Sequence, residues 1–178
     1  MKIIRLPAVM LVSLLITGCF STSDRAFRPV THSINAQLPE LQLTRVFSLS
    51  IGRSALALVD VVASTGEFDF SDLDKVQIAV YETGFANEVS LSNFNVEAAL
   101  VSRDKSLNWQ TIVKVRDVGE HVWIVAGINE SKGRVDAISI VALENSELVL
   151  VNVDGDLLRM LEFALEPVQG RKGVPDVT

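Results

Sequence analysis

The sequence contains few of the side chains on which enzymes and metal sites depend. Its 178 residues include one cysteine, two histidines and one tyrosine. A single thiol cannot form a disulfide within the chain, and two histidines without a cysteine do not make a usual zinc site unless carboxylates assist. The sequence therefore predicts no metal ion, no cofactor and no thiol chemistry in the folded domain.

The signals of a serine hydrolase are missing as well. His32 and His121 are the only histidines, and no serine stands in the G-x-S-x-G turn that presents the nucleophile in many hydrolases. His121 opens an apolar run, a position that suits an exposed or hydrogen-bonded histidine. We therefore predict that the protein is not an enzyme, and a carboxylate-based hydrolase is the least favoured alternative.

Positive charge is scarce, with 16 lysines and arginines against 22 aspartates and glutamates. Proteins that bind nucleic acid cluster basic residues against the phosphates, so no nucleic-acid partner is expected. Apolar residues nevertheless make up 48% of the chain, which excludes a disordered protein. A chain of this length most simply forms one domain.

No apolar run is long enough to span a bilayer, which takes about 20 residues. The longest mostly apolar run, residues 6–16, follows a basic start that contains Lys2 and Arg5. A basic start before a short apolar core is typical of a secretory signal peptide. We predict that the signal peptide covers residues 1–18.

The end of this signal peptide resembles the lipobox of bacterial lipoproteins. The segment reads Leu15-Ile16-Thr17-Gly18-Cys19, with Ile16 where leucine is commoner. The resemblance implies cleavage before Cys19 and acylation of this residue, and each buried methylene of an acyl chain contributes about 0.8 kcal/mol to membrane binding. Phe20 follows where an aspartate would resemble an inner-membrane retention signal. The resemblance therefore implies the periplasmic face of the outer membrane, with the inner membrane or the cell surface as alternatives.

Composition divides the remainder of the chain into three parts. Residues 19–40 are largely polar, contain Pro29 and Pro39 and show no sustained period, which predicts a tether between the lipid anchor and the domain. Residues 168–178 contain two glycines and a proline and predict a loose tail. The single folded domain is expected over residues 41–167.

Residues 109–153 hold four short apolar runs rich in valine and isoleucine, separated by brief polar breaks. This pattern predicts an antiparallel meander of four strands. The third and fourth runs are apolar on both faces and are expected to be central, whereas the first is expected near an edge. In the first run, the alternation assigns Trp109, Thr111, Val113 and Val115 to the core face.

Other segments supply further elements. Strands are predicted over residues 41–50 and 75–82, and amphipathic helices over residues 54–63, 87–104 and 157–165. The acidic stretch between the first of these helices and the second strand could suggest a calcium loop, but its spacing does not match the EF-hand pattern. The fold class predicted is α+β, with a mixed or mainly antiparallel sheet and helices packed on it.

Several of these segments resemble a known bacterial family. The strand that ends in Tyr81-Glu82, the strand that begins at Trp109 and the late strand that closes on Gly155-Asp156 are similar to the family called domain of unknown function 4252. The resemblance covers roughly residues 41–165. It implies an exported α+β protein and carries over no catalytic residue.

The sequence favours a non-enzymatic cell-envelope lipoprotein that binds a protein partner or supports an assembly. A carrier for a small apolar ligand, with a pocket between sheet and helices, is the alternative. Trp123 is the candidate contact residue, because it lies on the less continuous apolar face of its run and tryptophan is favoured at interface hot spots. The competing interpretation is that a helix covers Trp123.

Overall fold

A computed structural model describes residues 20–62, 72–84 and 88–158 of the chain. The strands are β1 (Phe20–Ser21), β2 (Thr44–Gly52), β3 (Leu73–Glu82), β4 (Asn108–Asp117), β5 (Glu120–Asn129), β6 (Arg134–Glu144) and β7 (Glu147–Gly155). The α-helices are α1 (Arg28–Gln37), α2 (Arg53–Val62), α3 (Glu88–Asn93) and α4 (Val96–Val101), and a 3₁₀ turn (Pro39–Leu41) follows α1.

The strands form one sheet in the order β1-β2-β3-β7-β6-β5-β4. Every strand pair among the described residues is antiparallel. Strands β4 to β7 are neighbours in chain order, and β7 then pairs with β3. β6 and β7, the runs that are apolar on both faces, lie in the interior of the sheet, and β4 is an edge strand. The α+β class predicted from the sequence agrees with this architecture.

One face of the sheet, called here the covered face, carries the larger core beneath α1, α3 and α4. Trp109 is 5% exposed, and its ring lies over Gly127, where an added Cβ would come within 3.0 Å of ring atom Cζ3. Trp123 is 2% exposed and meets the Phe94 ring edge-on, with the centroids 5.3 Å apart. The proposal that Trp123 contacts a partner is therefore wrong, because Phe94 and its neighbours cover the indole.

The segment predicted as a tether is part of the core. Phe27, Val30 and Ile34 are each 1% exposed, and Leu38 and Leu41 continue the same buried stripe. Their spacing of three or four residues is the helical period, and Pro29 lies in the first turn of α1, where its missing N–H costs nothing. The prediction that the domain begins at residue 41 is therefore wrong, because polar residues between the buried positions concealed the period.

A bulge in β4 moves the side chains of its second half to the sheet face opposite to the predicted one. The register of β4 against β5 shifts between Thr111 and Val113, so Ile112 is an extra residue. Trp109 lies on the covered face as predicted, but Val113 and Val115 lie on the other face. They are 41% and 48% exposed, so the assignment of these two valines to the core is wrong.

The helix predicted over residues 87–104 is divided into α3 and α4. Asn95 stands between them with extended backbone, and its Oδ1 accepts a hydrogen bond of 2.8 Å from the Ala98 backbone N–H. This side chain is an N-cap for α4, so the chain restarts a helix here instead of continuing one. Cys19, residues 64–71 of the acidic stretch 64–74 and the predicted helix beyond Leu158 lie outside the described residues.

Candidate interaction face

Among the residues that the structure describes, the second face of the sheet has a core at one end only. Cross-strand pairing aligns its side chains in rows, such as Leu49, Ile78, Val151, Ile140, Ile124 and Val113. At the end nearer α2, a smaller cluster forms from Leu56, Leu73, Ile138 and Leu157. Because β2 ends in α2 and β7 ends just before Leu157, these two connections place their side chains over the same end of the sheet.

The other end of this face carries what we call the apolar patch. It consists of Phe47, Leu49, Ile78, Val80, Val113, Val115, Val122, Ala142, Val149 and Val151. None of these ten belongs to either buried cluster within the part of the chain that the structure describes. Phe47 at one side of the patch is 46% exposed, and Val115 at the other is 48% exposed. Val113 is also exposed, and the other seven residues are half-buried. Contiguous apolar surface that water can reach commonly marks an interaction site.

A row of five carboxylates borders the apolar patch. Glu147 on β7 lies between two acids, opposite Glu82 on β3 and opposite Glu144 on β6. Glu144 lies opposite Glu120, and Glu120 lies opposite Asp117. Each acid is two residues beyond a patch residue on its strand, so the row shares the face of the patch. We call these five residues the carboxylate row.

No ion pair of the described part of the chain neutralises the carboxylate row. All five side chains are exposed, and none forms an ion pair with a lysine or arginine in the described residues. Like charges directly opposite each other on neighbouring strands destabilise a sheet.

No group of three histidine, cysteine or acidic residues in the described chain is arranged to hold a metal ion.

A polar cavity of about 510 Å³ opens on the covered face. Arg103 reaches into its wall, pairs with Asp154 and lies 5.4 Å from the centroid of the Trp109 ring. Arg134 on the β6 side contacts Asp136 at 2.5 Å and Asp156 at 2.9 Å. Burial raises the pKa of Asp136, but hydrogen bonds from Asn129 and Arg134 outweigh it and hold this pKa below its ordinary value.

The formal charges that line the cavity balance. Four basic residues and four aspartates face it: Lys75, Arg103, Lys132, Arg134, Asp74, Asp104, Asp136 and Asp154. Most of these charges are already engaged with one another, so the cavity offers neither an apolar wall nor a strong field of one sign. Among the described residues, Arg103 Nη1 is a buried donor without a hydrogen-bond partner. The cavity therefore suits water or a small polar molecule better than an apolar ligand.

The family model for a domain of unknown function (DUF4252) matches residues 43–160, which is more than half of the chain. The chain belongs to this family. The resemblance read from the strand and turn patterns is thereby confirmed. No curated protein matches the chain.

The matched span of this DUF4252 protein includes the whole apolar patch and the whole carboxylate row. It begins one residue before β2 and so leaves out β1, which pairs with β2 at the edge of the sheet, and α1, which packs on the covered face. No helix of the described residues is long and apolar enough to cross a membrane.

The residues singled out in the sequence do not converge on one site. Trp123 lies in the core, and His121 lies beside it, 1% exposed and stacked on the indole at 5.8 Å between centroids. Cys19 precedes the described residues. Sequence reasoning missed the carboxylate row. The one available signal was that each of the five acids stands at an end of an apolar run. Nothing in the sequence showed that the five ends lie side by side.

Proposed function

We propose that this protein is a non-enzymatic lipoprotein of the bacterial cell envelope, and that its DUF4252 domain binds or helps assemble another envelope protein. The observation that carries the proposal is the apolar patch. Its ten side chains would lose unfavourable contact with water when a partner covers them, at roughly 25 cal/mol for each Å² buried. A sheet face of this kind gives affinity without any reactive group, which fits a binding role.

The proposed anchor on Cys19 would hold the domain close to the membrane. Phe20 is already part of the sheet, where it lies opposite Ile51. Consecutive Cα atoms are about 3.8 Å apart, so an acylated Cys19 would leave almost no spacer between the lipid and the edge strand β1. The proposed location is the periplasmic face of the outer membrane. The protein would then meet its partners near the membrane surface.

Two other functions receive less support. A carrier for a small apolar ligand needs an enclosed apolar pocket, whereas the cavity at Arg103 is lined mainly by charged groups. A hydrolase needs a nucleophile and a base that face a common space. His121 is instead packed inside the core against Trp123.

A site-specific cross-linking experiment tests the binding role. A photoreactive amino acid at Val113 should cross-link the lipidated protein, in the cells that express it, to a discrete protein partner. Val115→Ser should abolish this adduct, because Val115 is the neighbouring exposed patch residue on β4. Val101→Ser is the matched control, since Val101 is 43% exposed on α4, away from the patch. If no adduct forms, or if both substitutions affect it equally, the proposal fails.

The anchor is tested separately. Mass spectrometry of the protein extracted from membranes should show an acylated amino-terminal Cys19, and Cys19→Ala should leave an unprocessed precursor or release the domain from the membrane. A mature protein that is cleaved elsewhere and carries no lipid would contradict the anchor.

A further inference from the structure

We infer that the occupant of the apolar patch is a cationic amphipathic helix of the partner protein, laid across the strands with its lysines or arginines along the carboxylate row. The inference rests on the proposed binding function and names the chemistry of the partner. It combines two features that lie on the same face: a patch without a described cover and a border of uncompensated negative charge.

The charge of the row selects a basic partner. Neighbouring strands are about 4.8 Å apart, so consecutive carboxylates repel one another at short range. Glu144 has this repulsion on both sides, because Glu120 and Glu147 are its two cross-strand neighbours. Lysines or arginines of a bound segment would remove the repulsion and form ion pairs in its place. The carboxylates that destabilise the free domain by repulsion would therefore stabilise the complex.

The dimensions of the patch suit a helix. The row of side chains from Phe47 to Val115 crosses six strands, which span about 24 Å at the usual strand spacing. A helix of about 16 residues has this length. One helical turn rises about 5.4 Å, close to the distance between strands, so basic residues one turn apart would follow the carboxylates from strand to strand.

Other occupants fit the charge less well. Residues 159–178 of this chain carry three basic and three acidic residues, so as a cover they would bring no net positive charge to the row. A second copy of the domain would bring a second carboxylate row. A bacterial membrane surface rich in anionic lipid would be repelled in the same way. A basic segment of another protein complements both the apolar patch and its border.

The binding experiment uses the chain from Phe20 to Thr178, which keeps every described element, and two labelled synthetic helices of about 18 residues. One helix carries a leucine stripe flanked by lysines, and the other carries the same stripe flanked by glutamates. Fluorescence anisotropy should show saturable binding of the lysine helix only. Binding should weaken in about 0.5 M salt, because exposed ion pairs are screened.

Matched variants locate the binding. The triple substitution E120Q/E144Q/E147Q should weaken binding about ten-fold, since three exposed ion pairs, each of modest strength, are lost together. The triple substitution D74N/D104N/E130Q changes the net charge equally, with all three acids off the row, and should leave binding within about two-fold of the wild type. Val115→Ser should also weaken binding. Circular dichroism should show that every variant is folded.

Several outcomes would overturn the inference. Equal binding of the two helices, or equal loss in the two triple variants, would show that the row selects nothing. Binding only after the chain is shortened to end at Leu158 would show that the chain's own carboxyl-terminal segment is the occupant. If the lysine helix does not bind but the Val113 adduct forms in cells and depends on Val115, the binding function stands and the partner chemistry is wrong. If both experiments fail, both proposals fail.

Discussion

The burial of Trp123 allows a quantitative test of the core and of the rejected contact hypothesis. Trp123→Ala removes an indole that is 2% exposed and leaves a cavity beneath α3 and α4. Truncation of a buried aromatic residue to alanine costs about 3–5 kcal/mol, and the lost edge-on contact with Phe94 belongs to that sum. Domains of this size have a total stability of about 5–15 kcal/mol. The variant should therefore lose a large share of the stability of the domain, and only a domain at the lower end of this range would fail to fold.

The measurement is urea unfolding followed by far-UV circular dichroism, which does not depend on the fluorescence of the removed tryptophan. The slope of the transition should stay the same, while the midpoint should fall. Trp123→Phe is the graded variant, because its ring can still meet Phe94, and it should lose clearly less stability than Trp123→Ala. Val118→Ala is the surface control, since Val118 is 99% exposed, and it should change stability by less than about 0.5 kcal/mol.

A loss below about 1 kcal/mol for Trp123→Ala would refute this account of the core, because it would place the indole in contact with water. A large loss, together with a Val113 cross-link that survives in Trp123→Phe, would confirm that the residue acts through packing and not through partner contact.

Three further predictions concern other parts of the fold. Ile34→Ala should cost about 2–5 kcal/mol in urea unfolding, because Ile34 is 1% exposed, whereas a residue in a free tether would cost nothing. Glu144→Gln should raise the melting temperature at low salt, because it relieves two like-charge contacts. This gain should fade in about 0.5 M salt. The control Glu130→Gln, at an exposed turn position, should show no such gain. Asp136→Asn should lower stability at neutral pH. Burial raises the pKa of Asp136, but hydrogen bonds from Asn129 and Arg134 hold this pKa below its ordinary value. The ionised carboxylate therefore stabilises the fold at pH values above the pKa of the unfolded state. That contribution is lost as the pH falls through the lowered folded pKa, so the difference from wild type should vanish at acid pH, and a constant difference in a pH series of melts would contradict it.

The sequence by itself determined the positions of most strands and, for β4, β6 and β7, whether each lies near an edge or in the interior of the sheet. Strand β3 shows strict alternation, and β6 and β7 are apolar on both faces, which placed them in the interior of the sheet. These are local signals, because side chains alternate along each strand whatever its neighbours are. The lipobox is local as well, and lipidation of Cys19 stays a prediction from sequence.

Other features were decided only when distant segments paired. The extra residue Ile112 in β4 moves Val113 and Val115 to the opposite face, because a shift of one residue reverses every side chain that follows. Residues 19–40 were predicted as a polar tether because their sequence alone does not show what their apolar side chains contact. In the folded domain, Val30 and Ile34 are buried against the sheet. Tertiary packing overrides weak local signals of this kind.

The apolar patch and its carboxylate row depend most strongly on the tertiary structure. Glu82 and Asp117 are far apart in sequence, yet the register of five strands places them at the two ends of one row. In the sequence, each acid is only a polar residue at the end of a strand, a position where charge is ordinary. The row exists because antiparallel pairing fixes which residues lie opposite each other, and that pairing is a property of the folded sheet and not of any single segment.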